Sequence, residues 1–205
     1  EKNAAQADGT IRDITITTVY NRMSGWKTSE TDARGNTTSY EYDKLGRVEK
    51  ITAPDNDDDD TTPAPVTTVA YSDAAGDLYA EVIDPTGRKT RYVFNDQGQL
   101  AAIEKYTGQS EPYSLYSQTL ITYNLWGDVA SITDPNGHTT YYTYDVLGRR
   151  NRIIYADDSA RSMDYDYATN ILTILDELGN KREEYKDAAG RTIKQTAYNG
   201  EEALE

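Results

Sequence analysis

The sequence predicts an all-β fold, an antiparallel β-hairpin repeat array of about sixteen strands forming a twisted, spiralling or shell-like sheet. Three observations carry that expectation. A Tyr-Asp-x-x-Gly turn recurs at a nearly fixed step, a second turn of the form Asp-x-x-Gly falls between its copies, and the stretches separating them are short and rich in Thr, Tyr, Val and Ile.

In chain order, the first turn occupies Asn21 to Gly25, Asp43 to Gly46, Asp73 to Gly76, Asn95 to Gly98, Asn124 to Gly127, Asp145 to Gly148, Asp166 to Thr169 and Asp187 to Gly190. Two copies are almost identical, Tyr42-Asp43-Lys44-Leu45-Gly46-Arg47 and Tyr144-Asp145-Val146-Leu147-Gly148-Arg149. The last residues of successive copies lie 21, 30, 22, 29, 21, 21 and 21 positions apart. Eight repeats of about 21 residues therefore fill the chain, read as a single repeat domain over residues 1–205.

The second turn occupies Asp32 to Gly35, Asp84 to Gly87, Asp134 to Gly137 and Asp176 to Gly179. A turn roughly every ten residues leaves no room for an average helix of about 11 to 12 residues, because Gly, Pro or Asn closes each apolar stretch first. Thr37 to Tyr42, Leu120 to Tyr123 and Thr139 to Tyr144 have the β-branched and aromatic content of strands. In the turns, Asp43 and Asp145 accept bonds from nearby backbone amides, while Gly46, Gly76, Gly98, Gly127, Gly148 and Gly190 supply the positive φ. After the turn glycine an apolar pair stands three apart, as at Val48 and Ile51, Leu100 and Ile103, Val129 and Ile132, and Ile171 and Ile174. A regular strand puts such a pair on opposite faces. Either both faces are covered or a β-bulge re-aims one member.

Eighteen of the 21 aromatic residues are Tyr, and the hydrophobic fraction is 37%. Tyrosine covers a surface with its ring while its hydroxyl stays bonded, which suits a thin, half-wet sheet. One repeat cannot stand alone. Ordering each residue costs about 1 to 2 kcal/mol, against roughly 1.5 to 3 kcal/mol for each buried aliphatic side chain. Stability has to come from hairpin stacked on hairpin. A four-bladed propeller is the competing arrangement, but it calls for a motif of period 42, and the unit that repeats is 21.

Tyr-Asp-x-x-Gly-Arg followed by Leu or Val, then Ile, then Asp-Pro-x-Gly, resembles the YD repeat of the rearrangement hotspot (RHS) family, found in toxin-complex shells, polymorphic toxins, bacterial wall-associated proteins and teneurins. The best matches run from Asp32 to Ile51 and from Asp134 to Ile153. The resemblance implies hairpins wound into a spiralling sheet that closes as a hollow shell, which in toxin members encloses a cytotoxic segment and ends in a self-cleaving core. No stretch here matches that core, since Asp84-Pro85 and Asp134-Pro135 sit at ordinary repeat turns. Self-cleavage and toxicity are not carried over. The chain opens at Glu1 with no initiator Met, leader or membrane-spanning run, so a piece of a larger protein is expected. It has no Cys, hence no disulfide framework. The family context implies a secreted or bacterial cell-surface setting, with other segments of the parent protein as partners.

A net charge of -14 argues against nucleic acid, whose binding needs clustered Lys and Arg against phosphate. The two long steps hold insertions at 54–65 and 106–117, each in place of an Asp-x-x-Gly turn, hence on one sheet edge. Being four strands apart, their roots lie on the order of 20 Å from each other. The first carries the acidic run Asp55 to Asp60, which departs from a helix-flanked calcium loop at its sixth and twelfth positions, Asp60 and Val66. The second offers Tyr106, Tyr113 and Tyr116 as rings on which a glycan could stack, or as packing residues. No cofactor, metal site or catalytic set is expected. His138, the single His, sits in a turn. Arg47, Arg149 and Arg191 follow turn glycines and are placed to pair with turn aspartates. Two functions follow, a non-enzymatic wall segment of an RHS-type shell or an adhesive, carbohydrate-binding module. The β-prone stretch Ile11 to Val19 adds an expectation of edge-to-edge self-association.

Overall fold

The computed structural model describes residues 2–5, 11–55, 63–199 and 202–203, with backbone alone at 2–5, 11–14, 199 and 202–203. These form strands and turns with no helix among them. Strands β1 (Lys2–Ala5) and β2 (Ile11–Ile14) pair as a separate antiparallel ribbon. Then follow β3 (Thr17–Tyr20), β4 (Lys27–Thr31), β5 (Thr37–Tyr42), β6 (Val48–Thr52), β7 (Val66–Ala74), β8 (Asp77–Ile83), β9 (Lys89–Phe94) and β10 (Leu100–Thr107). The chain continues through β11 (Ser114–Tyr123), β12 (Val129–Thr133), β13 (Thr139–Tyr144), β14 (Arg150–Ile154) and β15 (Ala160–Asp166). It ends with β16 (Ile171–Leu175), β17 (Lys181–Lys186), β18 (Thr192–Asn199) and β19 (Glu202–Ala203). The repeat array is thus the sixteen strands from β3 to β18.

The residues group into two compact units, Glu1–Gln99 with Ile103–Tyr116, and Leu100–Ala102 with Ser117–Glu205. Within the first, β3 to β9 pair antiparallel in chain order. Within the second, β11 to β19 do the same. Ala102 is the one buried hydrophobic residue among those described, and no large side chain is fully buried. Neither unit carries a dry core.

The turns are built by their first residue. In the β5–β6 turn, Asp43 N–H donates to the Arg47 carbonyl at 2.8 Å and Gly46 N–H to the Asp43 carbonyl at 3.1 Å. Asp43 Oδ1 accepts from the N–H groups of Leu45 and Arg47, both at 2.9 Å. The same pair of bonds recurs at Asp32, Asp84, Asn95, Asn124, Asp134, Asp145, Asp176 and Asp187. All six turn glycines named above have φ between 75 and 90°.

A β-bulge follows this turn in five hairpins. In β5–β6, Tyr42 faces Val48 whereas Glu41 faces Lys50, so Val48 and Ile51 lie on one face with Tyr42 and Tyr40. The bulge therefore accounts for the spacing of three, and it does so again for Val129 and Ile132. Hairpin β15–β16 has no bulge, and Ile171 and Ile174 fall on opposite faces. Its turn is also one residue longer than expected, with Asn170 rather than Thr169 at positive φ, 55°. A further turn between β14 and β15 lacks both signature residues: Tyr155 opens it, Asp158 takes the glycine position at φ 65° and Asp157 Oδ1 accepts from Ser159 N–H. Of the 54–65 insertion, residues 56–62 with the acidic run Asp57 to Asp60 lie outside the described residues. The 106–117 insertion is half strand, because β10 and β11 extend into it and leave 108–113 as the connection.

At four places a tyrosine hydroxyl joins a repeat to the one before. Tyr42 donates to the Lys27 carbonyl at 2.8 Å, Tyr71 to Val48 at 2.9 Å, Tyr123 to Leu100 at 2.8 Å and Tyr144 to Val129 at 2.9 Å. Every acceptor is the second residue after the preceding turn glycine. Removing such a hydroxyl leaves a half-buried carbonyl without its partner, a loss of about 0.5 to 1.5 kcal/mol. Tyr42→Phe, Tyr71→Phe, Tyr123→Phe and Tyr144→Phe are each expected to lower Tm by about 1 to 6 °C in calorimetry. The exposed Tyr141→Phe serves as the unchanged control.

The turn carboxylates also set a pH dependence. Bonds from the Arg149 side chain hold Asp145 below the usual carboxylate value of 3.8, backbone bonds from Asn36 and Arg191 hold Asp32 and Asp187, and the Thr86 hydroxyl holds Asp84. Because these native values lie below the unfolded ones, their stabilisation is complete above about pH 4 and disappears as pH falls through the lowered native values. Melting temperature is expected to hold level from neutrality to about pH 4 and to fall steeply below it.

Candidate functional site

Among the described residues of the first unit, the most enclosed polar side chain is that of Lys89, 7% exposed, at the start of β9. Register puts Ile83 opposite Lys89, Glu81 opposite Arg91 and Tyr79 opposite Val93, so one face of β8–β9 carries Tyr79, Glu81, Lys89 and Arg91. Lys89 Nζ lies 3.3 Å from Glu81 Oε2 and 3.8 Å from Glu111 Oε1. Arg91 donates to the same Glu81 oxygen through Nε at 3.1 Å and Nη2 at 2.9 Å, and its guanidinium lies 4.3 Å from the Tyr79 ring centre. One half-buried carboxylate thus neutralises two cations, and aromatic faces supply the rest.

Those faces belong to two of the three tyrosines singled out from the sequence. Lys89 Nζ lies 4.5 Å from the Tyr106 ring centre and 4.6 Å from that of Tyr113. Tyr106 donates its hydroxyl to Glu104 Oε2 at 2.6 Å. Burial and that carboxylate push the Tyr106 hydroxyl up to about 12. Tyr113 donates to the Gly87 carbonyl at 3.2 Å. Tyr116 stands apart from the cluster and is 63% exposed. The backbone of the 108–113 connection sits directly on the Asp84 to Gly87 turn, where a Cβ on Gly87 would collide with the Gln109 carbonyl oxygen. Lys89 and its tyrosines therefore pin the connection onto the neighbouring turn. Lys89, Glu81 and Arg91 escaped the sequence reading because a charged alternation on a strand looks like a solvated face. The available signal was Lys89-x-Arg91 set across the turn from Glu81.

A second set of contacts runs along the Tyr-Asp-x-x-Gly edge. Arg47 donates to Asp43 of its own turn and to Asp73 of the next, each at 2.7 Å, and covers the Tyr71 ring at 4.2 Å. Arg149 pairs with Asp145 and covers the rings of Tyr165 at 3.8 Å and Tyr167 at 4.5 Å, both from the next repeat. Arg191 pairs with Asp187. Arg47 and Arg149 thus clamp one repeat to the next, whereas Arg191 stays within its own turn. His138 is exposed, with Nδ1 3.2 Å from Asp134 Oδ2 of its own turn. Among the described residues no group of three or more His, Cys, Asp or Glu is gathered in a way that would hold a metal. Among the described residues the arginine–aspartate contacts repeat with the turns.

Repeat chemistry of this kind defines a class of structural repeat protein, and comparison gives the class its name. The chain carries RHS repeats, with residues 23–58 and 123–160 matching the family described as RHS Repeat. None of the curated proteins matches. Among solved structures, the chain is similar to the crystal structure of TcdB2-TccC3-Cdc42, at 14% identity and a TM-score of 0.52 over 90% of this chain and 12% of that one. It is likewise similar to the Photorhabdus luminescens Tc holotoxin pore carrying a TccC3 mutation, at 14% identity and a TM-score of 0.55 over 92% of this chain and 12% of that one. The likeness is one of fold, and the chain spans about an eighth of those proteins.

The shared carboxylate of Glu81 gives the cluster an asymmetric response. Glu81→Gln leaves Lys89 and Arg91 facing each other without it, an expected loss of about 3 kcal/mol in urea unfolding. In Lys89→Met, Arg91 still neutralises Glu81, and the expected loss is under about 1.5 kcal/mol.

Proposed function

We propose that the chain is a non-enzymatic wall segment of an RHS-type β-shell that encloses or displays other segments of the protein to which it belongs, in a secreted or cell-surface setting. The observation that carries this reading is the direction of the specific contacts. Tyr42, Tyr71, Tyr123 and Tyr144 bond the preceding repeat, while Arg47 and Arg149 reach the following one. Side chains that an enzyme would aim at a substrate are here directed at adjacent hairpins. Such nearest-neighbour coupling suits an extended wall. The RHS repeats and the fold shared with Tc-toxin proteins support the same reading.

Carbohydrate binding at the edge bearing the 108–113 connection is the alternative, and Tyr116 with the half-exposed Leu115 is the surface that favours it.

Protease protection tests the wall reading in the full-length protein. Segments enclosed by the wall are expected to resist proteolysis at neutral pH and to be cut once the wall is opened below about pH 4. Equal cleavage at both pH values by an acid-tolerant protease would remove the enclosing role. A glycan array with hits that disappear in Tyr116→Ala would favour the adhesive reading instead.

A further inference from the structure

In three repeats the residue that follows the turn glycine lies on a tyrosine just ahead of the next turn. Trp26 stacks on Tyr42 with ring centres 5.3 Å apart, the Arg47 guanidinium lies 4.2 Å from the Tyr71 ring centre, and that of Arg149 lies 3.8 Å from Tyr165. Each arginine also bonds the aspartate that begins its own turn, Asp43 or Asp145. The turn from Asn124 to Gly127 departs from this pattern. An amide begins it, and the residue after its glycine is Asp128. A carboxylate is repelled by the electron-rich face of a ring that would hold a cation. Among the described residues no ring or cation lies on Tyr144, the tyrosine this position would cover, and Asp128 pairs with no Lys, Arg or His. Its Oδ2 accepts only from Asn124 Nδ2, at 3.2 Å. The space stays open as a cleft of about 620 Å³ lined by Trp126, Asp128, Tyr142, Tyr144 and Asp145 among others. Of its two carboxylates, Asp145 is already bonded by Arg149.

We propose that the cleft at Asp128 binds the guanidinium of an arginine side chain presented by another polypeptide segment. The filled positions name the occupant. At Arg47 and Arg149 the chain closes the same place with a guanidinium held between a tyrosine face and a carboxylate. The cleft keeps both of those partners and lacks the cation. Its free carboxylate has moved from the first turn residue to the fifth, so the guanidinium has to come from outside. Trp126, 86% exposed at the tip of the turn, adds an indole, the strongest aromatic partner for a cation. A planar guanidinium lies flat on a ring while its N–H groups reach a carboxylate, whereas an ammonium is a compact and more strongly hydrated charge. The nearest cation of the chain, Arg150, lies 5.4 Å from the Tyr142 ring centre and is not among the residues lining the cleft. The volume falls in the range of roughly 300 to 1,000 Å³ usual for ligand clefts, and a net charge of -14 draws a basic partner toward it.

Titration of the full chain with N-acetylarginine amide tests the proposal, read by NMR at the Trp126 indole N–H and by calorimetry. The expected result is saturable binding in the millimolar range that shifts the Trp126 signal and leaves that of Trp26 in place. Asp128→Asn and Trp126→Ala are each expected to weaken it about 10-fold or more, with an unchanged Trp26 signal marking an intact fold. N-acetylcitrulline amide, which has the shape without the charge, is expected not to bind, and N-acetyllysine amide to bind more weakly. The double variant Asn124→Asp with Asp128→Arg rebuilds the turn of Asp43 and Arg47 and fills the cleft from within. It is expected to melt at a higher temperature and to bind no arginine. Absence of saturation overturns the proposal. So does binding that survives Asp128→Asn or the double variant undiminished, or equal binding of the citrulline or lysine derivative. Saturable binding of chitotriose at Trp126, with the arginine derivative inert, would assign the cleft to a glycan and overturn it as well.

Discussion

The bond from a turn carboxylate to two backbone N–H groups is the constraint on which the rest of the structure depends. Asp43 Oδ1 fixes the N–H groups two and four residues on, which closes the turn and puts Gly46 at φ 83°. The loop then returns its strand with one residue in excess, and the excess appears as the bulge between Val48 and Lys50. The bulge gathers the apolar pair onto one face. The carbonyl of the same residue, Val48, receives the hydroxyl of Tyr71 from the next repeat. In this hairpin turn, bulge and inter-repeat bond are thus successive consequences of one side chain, and the hairpin prepares the acceptor for its successor.

That sequence of consequences explains how a chain with a single buried apolar residue among those described holds together. Where interior volume is missing, the hydrophobic effect supplies little beyond the partial cover of tyrosine rings, and directional contacts carry more of the load. The cations take part in this. Arg47, Lys89, Arg91 and Arg149 each lie against a tyrosine face and a carboxylate together. An arginine so placed packs as a flat plate and remains charged. In an acidic chain this lays these four cations along the sheet between rings and carboxylates.

The turns were legible in the sequence because their chemistry is local, a carboxylate or amide and a glycine within four residues. The same locality explains the misses. Asp158 and Asn170 replace glycine at positive φ, and Tyr155 opens a turn with no side-chain carboxylate, so no short pattern marks either loop. The bulge was legible only as an alternative, since a spacing of three fits a covered second face equally well, and Ile171 with Ile174 takes that second course. The cluster around Lys89 was beyond reach for another reason. It joins β8, β9 and the 108–113 connection, and its partners lie up to some thirty positions apart with no repeat signature. Tyr106 and Tyr113 were visible as rings, but what they face depends on the extension of β10 and β11 into the insertion.

Geometry constrains only some positions of each repeat, and this separates what the fold needs from what the molecule uses. The first turn residue, the residue at positive φ and the tyrosine before the turn are each committed to a bond or a backbone angle. The tip side chains enter no ladder, and at Leu45, Leu125, Val146 and Leu147 they project into solvent. Lys44-Leu45 and Val146-Leu147 occupy the same place in near-identical turns and differ in charge without altering a bond of the turn. Tip composition is therefore free to encode surface identity while the wall beneath it stays the same.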